Sequence, residues 1–332
     1  MTKTFSDFVM KFLTVYLPRT RGYSPNTVSA YRDSFVLYLR YMESECGISP
    51  NTVEISDFPY ENVIGFTEWL AEARGCSAST CNSRLAAIKS FFRYVQSQAP
   101  ELINAAKPVL AIKAKKASQP EIDYLSVQAV SLLLKEALDS GGLRDAALLT
   151  LLYDSGARVQ EIADLTLSDI CLKKPSTIKL TGKGSKTRIV PVTPQAADIL
   201  RKYASSLGIV DGHTHLFNNW KKEPIGRAGI AYILKKYVAA VHDTHPEIMP
   251  PKATPHTLRH SKSMHLLENG VNLIYIRDLL GHQSVVTTER YAKSNPEMKR
   301  KAIEKSSERI IDGSHYAPET KADLLNWLRK MM

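Results

Sequence analysis

The chain has 332 residues, enough for about two domains with a sizeable core. Its 44 Lys and Arg against 33 Asp and Glu leave a net charge of +11, which points to a polyanionic partner, nucleic acid first. No run of about 18 apolar residues exists to span a membrane, and the four cysteines form no CxxC pair, so isolated reduced thiols in a cytoplasmic protein are expected.

The first 115 residues read as helices only. The N-terminus is amphipathic, carries Asp7 and lacks a small-residue cleavage site, so it reads as a helix and not as a signal peptide. Phe5, Phe8, Val9, Phe12 and Tyr16 form its apolar stripe. Ser24-Pro25 is a strong helix start, because the Ser side chain caps free amides and Pro suits the first helical position. Val28, Tyr31, Phe35, Tyr38 and Met42 keep helical spacing behind it. A third helix holds Val63, Phe66, Trp69 and Leu70 and stops at Gly75; a fourth follows Ser77 with Leu85, Ile88, Phe92 and Val95 on one face. Four such helices make a small bundle, domain 1–104. Lys89 and Arg93, four apart on the fourth helix, share a face that suits either solvent or DNA phosphates.

Residues 105–123 lose apolar periodicity and collect lysines, which predicts an exposed basic linker. Ser126 opens a second domain, 124–304, with helices expected near 127–138 and 143–154. The turn Ser155-Gly156-Ala157-Arg158 leads into a short helix with Glu161. Runs at 177–180 and 188–192 flank Gly182-Lys183-Gly184-Ser185-Lys186, predicting a β-hairpin. Its glycines lack GxxxxGK[ST] spacing and no helix follows, so a nucleotide-binding loop is excluded. Further helices are expected near 194–206, 226–242, 257–269 and 272–281, with Tyr291 just inside the next. The fold class is mainly α, with a small antiparallel sheet in the second domain. Residues 305–332 form a tail whose segment around Trp327 and Leu328 has a greasy face, suited to its own domain or a neighbouring protomer.

Arg158, Lys183, His256, Arg259, His282 and Tyr291 form a set that suits attack on a phosphodiester. Two permanently charged, planar guanidiniums can brace the non-bridging oxygens of a pentacovalent transition state. A tyrosine, with an ordinary pKa of about 10, needs a base and a positive field to become a nucleophile. A lysine on a hairpin can protonate the leaving 5′-oxygen. His256, His260 and His265 on one helix also raise a zinc reading, but no Glu stands between the first two and the His-x-x-Arg overlap fits phosphate chemistry better. Lys186 and Arg188 flank the lysine and suit phosphates or a base edge.

Gly156-Ala157-Arg158-Val159-Gln160-Glu161, Gly182-Lys183-Gly184, His256-Thr257-Leu258-Arg259-His260, Leu279-Leu280-Gly281-His282 and Tyr291 together resemble the tyrosine recombinase (phage integrase) superfamily, closest in pattern to its Xer-like, transposon and phage members. The resemblance covers about residues 5–300 and departs from the pattern at no catalytic position. It implies an N-terminal four-helix, SAM-like core-binding domain joined to a mixed α+β catalytic domain. It gives Arg158 and Arg259 the phosphate, Lys183 the general acid, His256 base or orienting work, His282 a phosphate hydrogen bond, and Tyr291 the nucleophile. It further implies a 3′-phosphotyrosyl intermediate, a Holliday junction, a homotetramer on two duplexes with inverted-repeat sites, and no cofactor, metal or ATP. An accessory recombinase or directionality factor, and docking of residues 316–332 on the next protomer, fit the same picture. Moving a mobile element, resolving chromosome or plasmid dimers, and type IB topoisomerase-like relaxation are the tasks left open; the separate helical N-terminal domain argues against the last.

Overall fold

The computed structural model describes residues 4–117, 122–182, 184–208, 211–282, 284–294, 326 and 329–330. The chain divides into two compact units, Met1–Pro120 and Glu121–Met332. Lys183 and nearly all of the expected tail, 305–332, lie outside the described residues.

In the first unit α1 (Phe5–Lys11) starts at Thr4, whose side chain and that of Asp7 cap each other's backbone amides. It runs directly into a π-helical stretch, Phe12–Thr20, that accommodates Pro18. Then come α2 (Pro25–Cys46), capped by Ser24 and ended by left-handed Gly47, α3 (Tyr60–Glu72) and α4 (Ala78–Gln98), capped by Ser77. Phe5, Phe12, Phe35, Tyr38, Phe66, Phe91 and Phe92 fill the interior, with Tyr38 stacked on Phe58 at 4.2 Å between ring centroids.

A fifth helix, α5 (Ile103–Ala111), occupies part of the stretch expected as linker. Ala106, Val109 and Ile112 are buried, and a three-residue apolar stripe is too short to stand out among lysines and prolines. The chain stays attached beyond it. Asn82 exchanges two hydrogen bonds of 2.8 Å with the backbone of Lys115, and Lys89 donates to the Ile112 carbonyl.

The second unit is built on α6 (Val127–Asp154), capped by Ser126 and broken at Gly142, whose φ of 77° and ψ of −179° separate two helical halves. Next are α7 (Val159–Ala163) and an antiparallel sheet in the order β1 (Ile170–Cys171), β2 (Thr177–Thr181), β3 (Thr187–Pro191). The hairpin expected from sequence is β2–β3, with Leu180 opposite Arg188. Strand β1 is too short to carry a period-two signal. Helices α8 (Pro194–Ser206), α9 (Arg227–Thr244), α10 (Pro255–Glu268), α11 (Leu273–Leu280) and α12 (Val285–Ser294) complete the unit. The core joins α6, the inner sheet face (Ile178, Leu180, Val190), α8 and α9. A smaller apolar cluster of Met264, Leu267, Ile276, Leu280 and Tyr291 ties α10, α11 and α12 together. Among the described residues, no helix is long and apolar enough to cross a membrane.

Candidate active site

Four backbone features bring the polar residues together. Gly156 and Gly281 adopt left-handed φ angles of +57° and +62°, turning the chain sharply after α6 and after α11. A Cβ on Gly156 would press on Leu280 at 3.0 Å, and one on Gly281 would meet the Arg188 guanidinium at 2.9 Å. Thr254 caps α10 and Pro255 occupies its first position, so His256, Arg259 and His260 fall in the first two turns. The β2–β3 hairpin presents Arg188 toward the C-terminus of α11.

Arg259 is buried at 3% exposure. Its two terminal nitrogens donate to the carbonyls of Gly156 and Leu280, both at 2.6 Å. Burial, and after it the charge of Arg158, pushes its pKa down to about 10, which still leaves it cationic at neutral pH.

Glu161 is the acidic centre of the cluster. Its carboxylate accepts from Arg188 at 2.9 and 2.7 Å, from the Arg158 guanidinium at 3.0 Å and from the Arg158 backbone N–H at 2.8 Å. Burial alone would raise its pKa, but the hydrogen bonds from Arg188 and Arg158, with their charges, outweigh burial and hold the carboxyl below its ordinary range. Gly182 lies against this carboxylate: a Cβ there would sit 2.9 Å from Oε1. Arg188 also donates through Nε to Leu279 O at 2.8 Å, and Arg158 reaches Gly281 O at 3.3 Å.

His282 follows Gly281, and its Nδ1 lies 3.0 Å from Thr288 Oγ1 on α12. Burial first, then the charges of Arg259, Arg158, Arg188 and His260, push its pKa down to about 4, so the ring is neutral at physiological pH. Tyr291 is 3% exposed, and its hydroxyl lies 2.8 Å from Nδ1 of His260. A cleft of about 710 Å³ opens above the cluster, lined by Arg158, Lys186, Arg188, Asp278, His282 and Thr287 among others.

Of the six residues expected to act together, Arg158, Arg259, His282 and Tyr291 stand around this cluster. His256 is exposed, with its ring 6.3 Å from that of His260, and Lys183 lies outside the described residues. Of the four expected at DNA, Lys186 and Arg93 are exposed. Arg188 is an internal brace of the site, its guanidinium committed to Glu161 and Leu279 O, because the alternation of β3 turns it inward. Lys89 is turned to the Ile112 carbonyl. From sequence Glu161 reads only as a helix residue, and His260 enters only through the zinc reading and the motif around Arg259; the i, i+3 spacing of Arg158 and Glu161 was the available signal for the first. His265 bonds Tyr153 at 2.8 Å, and among the described residues no three His, Cys, Asp or Glu side chains gather as metal ligands.

Comparison with known proteins gives the family and the fold. Residues 123–298 match the phage integrase family, and residues 11–99 match the phage integrase N-terminal SAM-like domain. The putative integrase/recombinase y4rC of Sinorhizobium fredii is 30% identical over 96% of this chain and 97% of its own length. The tyrosine recombinase XerC of Mesorhizobium japonicum is 34% identical over 83% of this chain and 87% of its own. Among solved structures, the Tn1549 transposon integrase in complex with transposon right-end DNA has a TM-score of 0.67 at 18% identity, covering 90% of this chain and 99% of that one. XerH bound to its palindromic difH substrate has a TM-score of 0.65 at 19% identity, covering 85% and 80%. These last two likenesses concern the fold.

Proposed function

The chain belongs to the phage integrase family and is a tyrosine-type site-specific DNA recombinase, and from that premise we propose that Tyr291 is its nucleophile, acting on a phosphodiester seated in the cleft that Arg158, Arg188 and His282 line. The observation that carries the reading is the packing of Tyr291 against α10 beside buried Arg259, at the edge of a cluster whose cations outnumber its anions.

The charge balance explains how such a site favours a transition state. Arg158, Arg188 and Arg259 set three positive charges against the one carboxylate of Glu161. A bound phosphodiester, with one negative charge, leaves an excess of cation. The pentacovalent transition state carries a second negative charge and balances the cluster, so the site favours the transition state over bound substrate. Tyr291 Oη attacks phosphorus, the bond to O5′ breaks, and O5′ takes a proton, a role we assign to Lys183. His256 and His282 are assigned to orienting the phosphate. A 5′-hydroxyl from a second duplex then attacks the 3′-phosphotyrosyl link. Bond energy is retained in that link, so the scheme needs no ATP.

On the wider assembly, the reading is a homotetramer on two duplexes with inverted-repeat sites, strands exchanged in pairs through a Holliday junction, and residues 316–332 docking on the next protomer. The task assigned is movement of a mobile element, in keeping with the match to an integrase/recombinase over 96% of the chain. Dimer resolution is the second reading, supported by the 34% identity to XerC.

The test is a nicked suicide duplex carrying a site selected by binding from a random pool. Wild type is expected to form a protein–DNA adduct that survives denaturant, and Tyr291→Phe none. Equal adduct from both overturns the nucleophile assignment.

A further inference from the structure

We infer that His260 is the general base of strand cleavage: it takes the phenolic proton of Tyr291 on Nδ1 and returns it when the strand is rejoined. The inference rests on the reading of Tyr291 as nucleophile and adds a residue which that reading does not use.

The geometry is direct. Nδ1 of His260 lies 2.8 Å from the Tyr291 hydroxyl, the atom that must lose a proton, with ring centroids 5.6 Å apart. With the imidazole hydrogen on Nε2, Nδ1 presents its lone pair to that O–H. Both partners are held. His260 follows Arg259, whose bonds to Gly156 O and Leu280 O fix this turn of α10. The Tyr291 ring packs with Met264, Leu267, Ile276 and Leu280. His256, to which the family resemblance gives base or orienting work, is exposed and one ring further out, its centroid 6.3 Å from that of His260.

Among the described residues, His260 meets Tyr291 from α12 and His256 from its own helix, and it is close enough to His282, in the turn before α12, to act on it electrostatically. On the α6 side Lys262 and Asp154 are paired with each other at 2.9 Å, and on α11 Arg277 and Asp278 are paired at 2.6 Å. The neutrality of His282 leaves room for His260 to take up a charge during the reaction. The step balances. The O–H bond of Tyr291 breaks to Nδ1 as the Oη–P bond forms, the P–O5′ bond breaks, and O5′ is protonated from the acid side. In rejoining, the imidazolium returns its proton to Oη as the Oη–P bond breaks.

The test compares wild type, Tyr291→Phe and His260→Asn for adduct formation on the suicide duplex across pH 5.5–10. Asn places an amide near the position of Nδ1 and can hold the phenol, but it does not accept a proton. Wild-type cleavage is expected to fall toward acid pH, where a protonated His260 can no longer accept the phenolic proton. His260→Asn is expected to bind the duplex as wild type does and to cleave roughly a hundredfold or more slowly at pH 7. Its deficit should shrink with rising pH, as hydroxide takes over the removal of the phenolic proton. With a 5′-bridging phosphorothiolate, whose leaving group needs no acid, wild type should keep the same acidic limb and His260→Asn the same deficit. This arm uses wild type too, so it decides the matter even if the variant misfolds. A wild-type rate and profile in His260→Asn, a deficit constant across pH, or loss of the wild-type limb on the phosphorothiolate each overturn the inference. Adduct from Tyr291→Phe would instead overturn the reading beneath it.

Discussion

Replacing Glu161 with Gln keeps the shape of the side chain and removes the carboxylate that pairs with both Arg158 and Arg188. The carboxylate is 4% exposed and accepts four hydrogen bonds, two of them a fork from Arg188. Removing one partner of a buried ion pair typically costs about 3–5 kcal/mol, because the remaining charge is left uncompensated. The Arg188 side chain is 14% exposed and bears most of that cost, whereas Arg158, at 37%, keeps much of its hydration. The expected loss is therefore near the lower end, about 3 kcal/mol. For a unit of this size that lowers Tm by about 6–12 °C. The effect must depend on pH. The folded carboxyl lies below its ordinary 4.5, so its stabilisation is complete above that value and is lost as pH falls through the folded pKa. The gap between wild type and Glu161→Gln should close in acid, as protonated Glu comes to resemble Gln. Thermal unfolding followed by circular dichroism from pH 7 down to about 3 measures both effects. A Tm within about 2 °C of wild type at pH 7, or a deficit that persists unchanged in acid, refutes the reasoning.

Three other expectations follow, one at the site and two in the first unit. His282 has a folded pKa of about 4 against an ordinary 6.5, so between these values the unfolded chain binds a proton that the folded one does not. Stability should fall by up to about 3 kcal/mol as pH drops through that window. In His282→Asn this part of the Tm–pH curve should flatten, and coincident slopes would show the assignment to be wrong. In the first unit, Lys89→Ala should lower Tm modestly, by about 1 kcal/mol of stability, and leave the salt dependence of DNA binding unchanged. Arg93→Ala should weaken binding and reduce the salt slope by about 1 in fluorescence anisotropy titrations. Equal effects of the two on the slope would mean that Lys89 also meets phosphate.

The helical N-terminal unit and the hairpin were legible because their signals are local: Ser24-Pro25 and Ser77 as caps, and glycines between two β-type runs. Helix α5 was hidden because a short stripe of Ala106, Val109 and Ile112 is masked by surrounding lysines. At the site, residue types in order pointed to phosphate chemistry, but not to which way each side chain turns. Lys89 and Arg93 share a helical face by spacing, yet one is drawn to the Ile112 carbonyl and the other is exposed. Arg188 looked like a surface cation on a strand, and its inward direction is set by the register of β3 against β2. The place of His260 beside Tyr291 was not legible because the two stand 31 residues apart.

The stitches that assemble the cationic cluster are remote in sequence. Arg259 reaches back 103 residues to Gly156, Arg158 reaches forward 123 to Gly281, and Arg188 spans 91 to Leu279. Each closes a long loop, whose entropy must be lost before the contact returns anything, so these bonds form late on the folding path. A nascent or partly folded chain therefore has Tyr291 and its arginines only as separate pieces. For a DNA recombinase the order of folding then acts as a safety catch: under the proposed assignment of Tyr291, the capacity to break a strand arrives only with the finished domain.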